Sequence, residues 1–466
     1  MSSITIDSAY LLAKNAAELP FSRLSTSAIE STRNDILDTL GTAIAGANAP
    51  GCREVARLVV ENYATPQATV WGSRYKASAT EAAMANGTMA HALDFDDTHD
   101  AAVLHAGVSV IPAAFAAAEL VGGIDGKELL TAITIGLDLV CRMGMATSVP
   151  PVASGWMYTS LFGHFGATVT AGRLLRLDVN QMAHAMGIAY AQAAGNTQCM
   201  PDGSLTKRMQ PGFAARSGLL SAMLARSGIT GTTQTFDGGS GLFRVYLNKA
   251  YDRDRLLLDL GERFEGVDLS FKPYPSCRYT HAAIDAIMSL VQEFPIDPDQ
   301  IKSISVGVND QAFTNVCMPL EVKSKPRFIV DAQFSIPYCV ATAIVKGQVF
   351  IDDFTVAALS NPAVLSVASK VRPFLDADIQ LSNARDISPA NVVVEMKDGT
   401  KRTAHSSSPR GGPTNPLSFA ELTEKFRRCA AYGDTPLNTS KTEHIIELIE
   451  NMESVVDVRV ISQALA

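Results

Sequence analysis

The sequence predicts a mainly α protein: a large all-helical domain assembled from both ends of the chain, with a smaller α+β unit between them. Three observations carry this. From Ile4 to about Gly261, apolar residues recur at helical spacing in segments rich in Ala and Gly and poor in aromatics. Near 261–272 the composition shifts, and Pro273, Pro275, Pro295 and Pro298 punctuate a stretch that includes polar–apolar alternation. After a Ser-, Pro- and Gly-rich segment at 406–416, helical spacing returns. At 466 residues the chain is also too long for one ordinary core. The expected boundaries are 1–268 for the first part of the helical domain, 269–405 for the α+β domain, and 406–466 for a linker and C-terminal helices that rejoin the first part.

The first long helix follows Ser25 or Ser27 as cap, with Ile29, Ile36, Leu37, Leu40 and Ile44 on one face and Gly41 and Gly46 allowing close neighbours. The same pattern predicts helices at 110–121, 127–143, 162–173, 181–193 and 212–225. Asp202 to Gly212 reads as a loop leading into the last of these. In the second part, 280–292 reads as helix, 303–308 as a half-buried strand and 333–346 as helix. A strand at 391–396, an Asp398-Gly399 turn and a returning strand complete it. Leu417 to about Ala431 and Lys441–Met452 are the closing helices.

Composition narrows the function. The apolar fraction of 47% and charged fraction of 18% are those of a soluble globular protein. A net charge of −8 argues against a nucleic-acid binder, which needs a basic face. The seven cysteines are scattered without a CxxC pair, which points to a reducing compartment. The start, Met1 to Asp7, has no leader pattern, and no uninterrupted apolar run reaches the ~18–20 residues of a membrane span. A cytoplasmic protein with no membrane partner is expected.

One stretch concentrates the chemistry. His91-Ala-Leu-Asp94-Phe-Asp96-Asp97-Thr98-His99, continuing to His105 and Gly107, lies between two quiet small-residue helices. Carboxylates held close repel, and burial disfavours their ionisation, so such a cluster points to a site. Asp94-x-Asp96-x-Thr98 matches a phosphatase motif, but the Ala-rich segment before it is helical rather than a buried strand, which removes the context that motif needs. His91, Asp94, Asp96, His99 and His105 are types that bind metals, yet no HExxH-like spacing supports that reading. The Gly238-Gly-Ser-Gly241 turn lacks a nucleotide-loop spacing.

Three further places are candidates. Lys207 and Arg208 precede a helix, where paired cations await an anion. Lys272 and Arg278 sit at the expected domain junction in Phe271-Lys-Pro-Tyr-Pro-Ser-Cys-Arg278, placed to neutralise carboxylates. Met157 reads as packing. Cys277 has a cationic setting but no partner base.

These motifs, taken together, resemble the MmgE/PrpD family. Asn86-Gly87, His91 to His99 and His105-Ala-Gly107 carry the resemblance. So do TKRMQPGFAARSG around Lys207, FKPYPSCRYTHAAIDA around Lys272, DAQFSIPY at 331–338, and GPTNPLSFAELTEKF at 412–426. The resemblance spans essentially the whole chain. It implies a helical domain with an α+β lid, a homodimer, and chemistry without an organic cofactor or metal, on a small polycarboxylate. The family includes 2-methylcitrate dehydratase, cis-aconitate decarboxylase and iminodisuccinate epimerase. Asp94, Thr98, His105, Lys207 and Lys272 correspond to active-site residues of the decarboxylase. His105 stands one residue further from Thr98 than in that pattern. The aromatic that follows Thr98 there is His99 here, and a His-Pro pair there is Met157-Tyr158 here.

The reading expected is acid–base catalysis by Asp94, His99, His105, Lys207 and Lys272, with Thr98, Tyr158, Arg278 and Met157 around the substrate. These departures tilt the expectation towards an epimerase of the iminodisuccinate type, with a 2-methylcitrate dehydratase-like hydro-lyase or a decarboxylase as the alternatives.

Overall fold

The computed structural model describes residues 6–62, 65–380, 387, 389–433 and 435–466. Met1–Thr5, the start of the stretch read for a leader, lies outside the described residues. The protein is mainly α with a small sheet. The chain forms two compact units: residues 1–92, 96–269 and 418–466 make the first, and 93–95 with 270–417 the second.

In the first unit the expected helices appear, mostly a few residues longer. Thr26–Gly46 is capped by Ser25, whose side chain accepts from the Ala28 amide. Gly107–Val121, Gly126–Ala146, Tyr158–Leu174, Val179–Tyr190 and Thr206–Arg226 follow. Small residues do here what their abundance suggested. A Cβ on Gly212 would stand 2.3 Å from the Met84 carbonyl oxygen, and one on Gly87 would stand 2.9 Å from the Gly212 Cα. The helices Ala79–Ala90 and Thr206–Arg226 therefore touch backbone to backbone.

Gly126–Ala146 is long and apolar enough to cross a membrane by length and composition, but most of it is buried within the unit. Its Arg142, fully buried, donates to Asp138 at 2.7 Å and to the Leu258 carbonyl at 2.7 Å. The C-terminal helices Phe419–Ala430 and Thr439–Glu450 belong to this unit, and Lys425 of the first reaches Asp38 at 2.6 Å.

Lys207 is not in a loop. The helix begins at Thr206 and carries Pro211 within it, so the residues expected to precede it form its first turns. Proline removes one intrahelical donor, the one that would serve the Lys207 carbonyl, and the helix tolerates that loss close to its start.

The second unit holds a four-stranded sheet in the order 371–375, 301–308, 390–396, 401–406. Ile301–Val308 pairs parallel with Val371–Leu375 and antiparallel with Ala390–Met396. Ala390–Met396 and Lys401–Ser406 form the expected hairpin, with Gly399 at φ +88° in its turn. Ile304, Val306, Val392 and Val394 are buried and pack in one core with His281–Glu293 and Ile336–Lys346.

The helix expected at 333–346 is two pieces, Ile329–Gln333 and Ile336–Lys346. Ser335 breaks it by capping the second, accepting from the Tyr338 amide at 2.9 Å, with Pro337 in the first turn. The 406–416 segment is part of this unit rather than a free linker. The Gly411 carbonyl accepts from the Phe271 amide at 2.8 Å, and Arg278 donates to the carbonyls of Arg410 and Pro409. The units thus divide at 269/270 and 417/418 instead of 268/269 and 405/406.

Candidate active site

In the first unit the centre of the site is Asp96. This carboxylate is fully buried, and its Oδ2 lies 2.8 Å from His91 Nδ1 and 2.9 Å from His105 Nδ1. Both Nδ1 atoms face acceptors, so each is assigned its proton there. His105 shares its N–H with the Asp97 carbonyl at 2.6 Å. Burial pushes the Asp96 carboxyl up, but the His105 and His91 imidazoles beside it hold it well below the usual carboxylate range. The three side chains bring potential ligand atoms within 4.8 Å of one another. With their Nδ1 atoms assigned as donors, the two imidazoles and Asp96 form one hydrogen-bonded relay.

The two imidazoles differ. The His91 side chain is 1% exposed and that of His105 is 17% exposed. His91 is pushed down to about 4 by burial and by the Lys207 ammonium, against the pull of Asp96. Lys207 Nζ lies 3.3 Å from His91 Nε2, which accepts from it. His91 is therefore a neutral link between Asp96 and Lys207. His105, with Nδ1 pinned and Nε2 free to face a ligand, is the group suited to carry a proton.

Asp97 supports His105 from behind. Its carboxylate accepts from the Ala106 amide at 2.8 Å and the Gly107 amide at 3.2 Å, satisfying donors at the start of the Gly107–Val121 helix. Burial and neighbouring Asp96 raise its carboxyl to about 6. Adjacent acids are thus driven apart, one held well below the usual carboxylate range and one raised above it. Thr98 is buried, and its hydroxyl has no partner among the described residues, which leaves it free for a ligand.

Three expected residues are placed otherwise. His99 stands with Glu265 and Asp268, not with the Asp96 group. Its Nδ1 accepts from the Ala102 amide at 3.2 Å, and Glu265 is clamped by Arg255 at 2.8 and 2.7 Å. The Tyr158 hydroxyl donates to the Val149 carbonyl at 2.6 Å, so it is already engaged. Met157, buried, precedes the Tyr158–Leu174 helix and contributes no side-chain cap.

The second unit pairs Asp94 with Lys272. Lys272 is 1% exposed, and its Nζ donates to Asp94 Oδ1 at 3.0 Å and to the Asp94 carbonyl at 2.8 Å. Asp94 has φ +54°, a left-handed conformation that Asp tolerates better than most residues. Arg278 is buried and spends its guanidinium largely on backbone: its Nη1 donates to the Arg410 carbonyl at 2.7 Å and to His281 Nδ1 at 3.2 Å. Burial, with Arg278 and Lys272 nearby, holds His281 well below the usual imidazole range. Arg278 thus fastens the 409–410 segment, where the sequence had suggested a carboxylate ligand.

Sequence reasoning weighed Asp96 in a phosphatase motif and, with His91, as a metal ligand, and counted both among the residues that carry the resemblance, but gave neither a catalytic role. Their pairing was hidden because His91 ends one helix and Asp96 lies in the following turn. Asp97's capping role joins residues nine and ten apart, which no local spacing rule picks out.

Comparison with known proteins gives a consistent picture. Residues 11–253 match the model of the MmgE/PrpD N-terminal domain, and 274–454 that of the MmgE/PrpD C-terminal domain. The chain is 27% identical over 459 residues to the cis-aconitate decarboxylase-like protein oryM of Aspergillus oryzae, covering 95% of this chain and 93% of that one. It is 26% identical to the cis-aconitate decarboxylase of Aspergillus terreus, over 95% of this chain and 92% of the relative. To that of Mus musculus it is 26% identical, over 96% and 91%.

Proposed function

The chain belongs to the MmgE/PrpD family, and from that premise we propose that it is a lyase breaking a bond beside a carboxylate of a small polycarboxylate, using its own side chains and no organic cofactor or metal. The observation that carries this is the Asp96–His105 pair with Lys207 one imidazole away. Breaking a C–C or C–H bond next to a carboxylate leaves an electron pair on carbon that spreads into that carboxylate. Ammonium groups stabilise such charge best when fixed in advance. Lys207 is proposed to do this. Thr98 would donate a hydrogen bond to the substrate.

For decarboxylation, the activity named for the relatives, the C–CO2 bond breaks and its electron pair stays on carbon. CO2 leaves, and His105 Nε2–H delivers the proton that completes the product. The imidazolium formed before that step is stabilised by Asp96, which holds Nδ1–H.

One observation favours a second reading, epimerisation of an iminodisuccinate-type dicarboxylate. The decarboxylase pattern places an imidazole where this chain has Met157, and a thioether carries no proton. Epimerisation needs only removal of a proton from one face and its return to the other.

The test is turnover in D2O followed by NMR, with cis-aconitate, 2-methylcitrate and iminodisuccinate offered separately. CO2 release with deuterium in the product supports decarboxylation. Deuterium entering iminodisuccinate with loss of optical rotation supports epimerisation, and a new double bond from 2-methylcitrate supports a hydro-lyase. Turnover of none of the three would overturn the reading. We also propose a cytoplasmic homodimer, which sedimentation of the purified protein and fractionation of its host test.

A further inference from the structure

We propose that Gln210 is a positioning residue that sets substrate selectivity by fixing the Met157–Tyr158 turn relative to Lys207. The proposal rests on the reading that these residues face the substrate, and on contacts within the first unit. Gln210 lies on the Lys207 helix, three residues on, and is buried. Its Oε1 accepts from the Asn196 amide at 2.7 Å. Its Nε2 donates to the Asn196 carbonyl at 2.9 Å and to Cys199 Sγ at 3.1 Å. Its own carbonyl accepts from the Ser160 hydroxyl at 3.0 Å. One side chain thus holds both the amide and the carbonyl of Asn196 in the 195–199 loop, and the residue's backbone holds the helix that follows Met157.

That loop is tied at both ends. The Gly195 carbonyl accepts from the Met157 amide at 3.2 Å, and the Thr197 amide donates to the Gly155 carbonyl at 3.0 Å. Gly195 sits at φ +136°, and a Cβ there would come 2.7 Å from the Ser160 Cβ, so the loop packs tightly against this turn. At the other end the Cys199 carbonyl accepts from the Ser204 amide at 2.9 Å, and the Ser204 carbonyl accepts from the Lys207 amide at 3.2 Å. The loop is therefore a brace whose ends meet Met157 and Lys207, and Gln210 is the clamp across it. A carboxylate held by Lys207 and a substrate body limited by Met157 would then sit at a separation that Gln210 maintains. Glutamine suits this task because its amide supplies acceptor and donor together, matching the N–H and C=O of one residue.

Two measurements test this. The first needs no substrate: the rate of iodoacetamide labelling at Cys199, read by peptide mass spectrometry. Cys199 is 5% exposed and sits under the clamp. Gln210→Ala should label at least about tenfold faster, because a loop without its clamp opens more often. Gln210→Glu, which keeps the acceptor and loses the donors, should fall between. The second is the ratio of kcat/KM for cis-aconitate to that for 2-methylcitrate. It should move by about tenfold or more in Gln210→Ala, the scale of one misplaced pocket contact, and by less in Gln210→Glu.

Unchanged labelling in Gln210→Ala overturns the clamp. Faster labelling with an unchanged ratio overturns the link to selectivity. A wild-type protein that turns over neither acid removes the functional reading and the selectivity claim together, while labelling still decides whether Gln210 holds the loop.

Discussion

Asp96 Oδ2 lies 2.9 Å from His105 Nδ1 and serves His91 at 2.8 Å through the same oxygen. One buried carboxylate thus orients two imidazoles. Their surroundings then separate them: the enclosed one is kept neutral between Asp96 and Lys207, and the more exposed one is left to exchange protons.

His105→Gln should therefore lower kcat by about 10²–10⁴-fold, the usual worth of a positioned acid–base group, while ligand affinity stays within about threefold. Turnover and calorimetry on the same preparation measure the two effects. Asp96→Asn should also lose activity, because an amide oxygen is a weaker acceptor for two imidazole N–H groups and stabilises an imidazolium poorly. Normal turnover in either variant would remove the pair from the chemistry.

Lys207→Met should abolish most activity and leave the fold intact, since the side chain is only partly buried. It carries a second, independent readout. Lys207 is one cause of the lowered His91 value, so its removal should raise that value from about 4. Histidine-labelled protein titrated by NMR reports this directly. An unmoved His91 signal would mean that the Lys207 ammonium is not at His91 Nε2 in solution.

Asp94→Ala tests the second unit. Lys272 would keep its bond to the residue-94 carbonyl but lose the carboxylate that balances its charge. Breaking a buried ion pair from one side costs about 3–5 kcal/mol. The variant should therefore unfold at markedly lower denaturant, and Lys272→Met with Asp94→Asn together should recover part of the loss. If Asp94→Ala is as stable as wild type, the pair is not buried as described.

How legible this was depends on the range of each interaction. The helices of the first unit were readable because their apolar spacing is local, and the 391–402 hairpin because Asp398-Gly399 is a local turn signal. Lys207 was misread as loop because Pro211 imitates a helix start while sitting inside the helix. The break at Ser335 was overlooked because the apolar pattern runs through it. The composition of 406–416 looked like a linker, but its backbone is held by Phe271 and Arg278, more than 130 residues earlier. The same reason hid the job of Arg278: a guanidinium facing carbonyls looks identical in sequence to one facing a substrate. The site stretch was found by its density of titratable groups, but the pairing within it depends on a turn that composition does not encode.

Gly212→Ala should destabilise the first unit by about 2–3 kcal/mol, at the upper end for overpacking, because the added methyl meets the Met84 carbonyl at 2.3 Å and backbone yields little. Gly239→Ala is the control. Nothing lies within 4 Å of its Cβ, and its φ is not in the left-handed region, so it should fall within about 0.5 kcal/mol of wild type. Should Gly212→Ala not accumulate in soluble form while Gly239→Ala does, the outcome agrees in direction. Equal unfolding midpoints would show that the two helices separate at little cost.

His164 gives a pH dependence whose sign is fixed by its burial. It is buried on the Tyr158–Leu174 helix, with Nδ1 donating to the Ser160 carbonyl at 2.7 Å, and burial lowers it from 6.5 to about 4. The unfolded chain binds its proton near pH 6.5, whereas the folded one does so only near 4. Between those values the unfolded state carries more protons, so this group's contribution is fully present above pH 6.5 and is lost as pH falls towards 4. Each unit in that window is worth about 1.4 kcal/mol, or about 2 kcal/mol between pH 6.5 and 5. Buried acids such as Asp97, raised to about 6, act in the opposite direction, so the whole-protein curve mixes signs. Comparison with His164→Gln isolates the term. The variant should be less stable at pH 7, and the gap should shrink by about 2 kcal/mol on going to pH 5. Urea unfolding followed by tryptophan fluorescence measures it, because Trp71 and Trp156, the two tryptophans of the chain, both lie in the first unit. A gap that stays constant with pH would mean that His164 titrates alike in the folded and unfolded states, and that the pocket around it admits water.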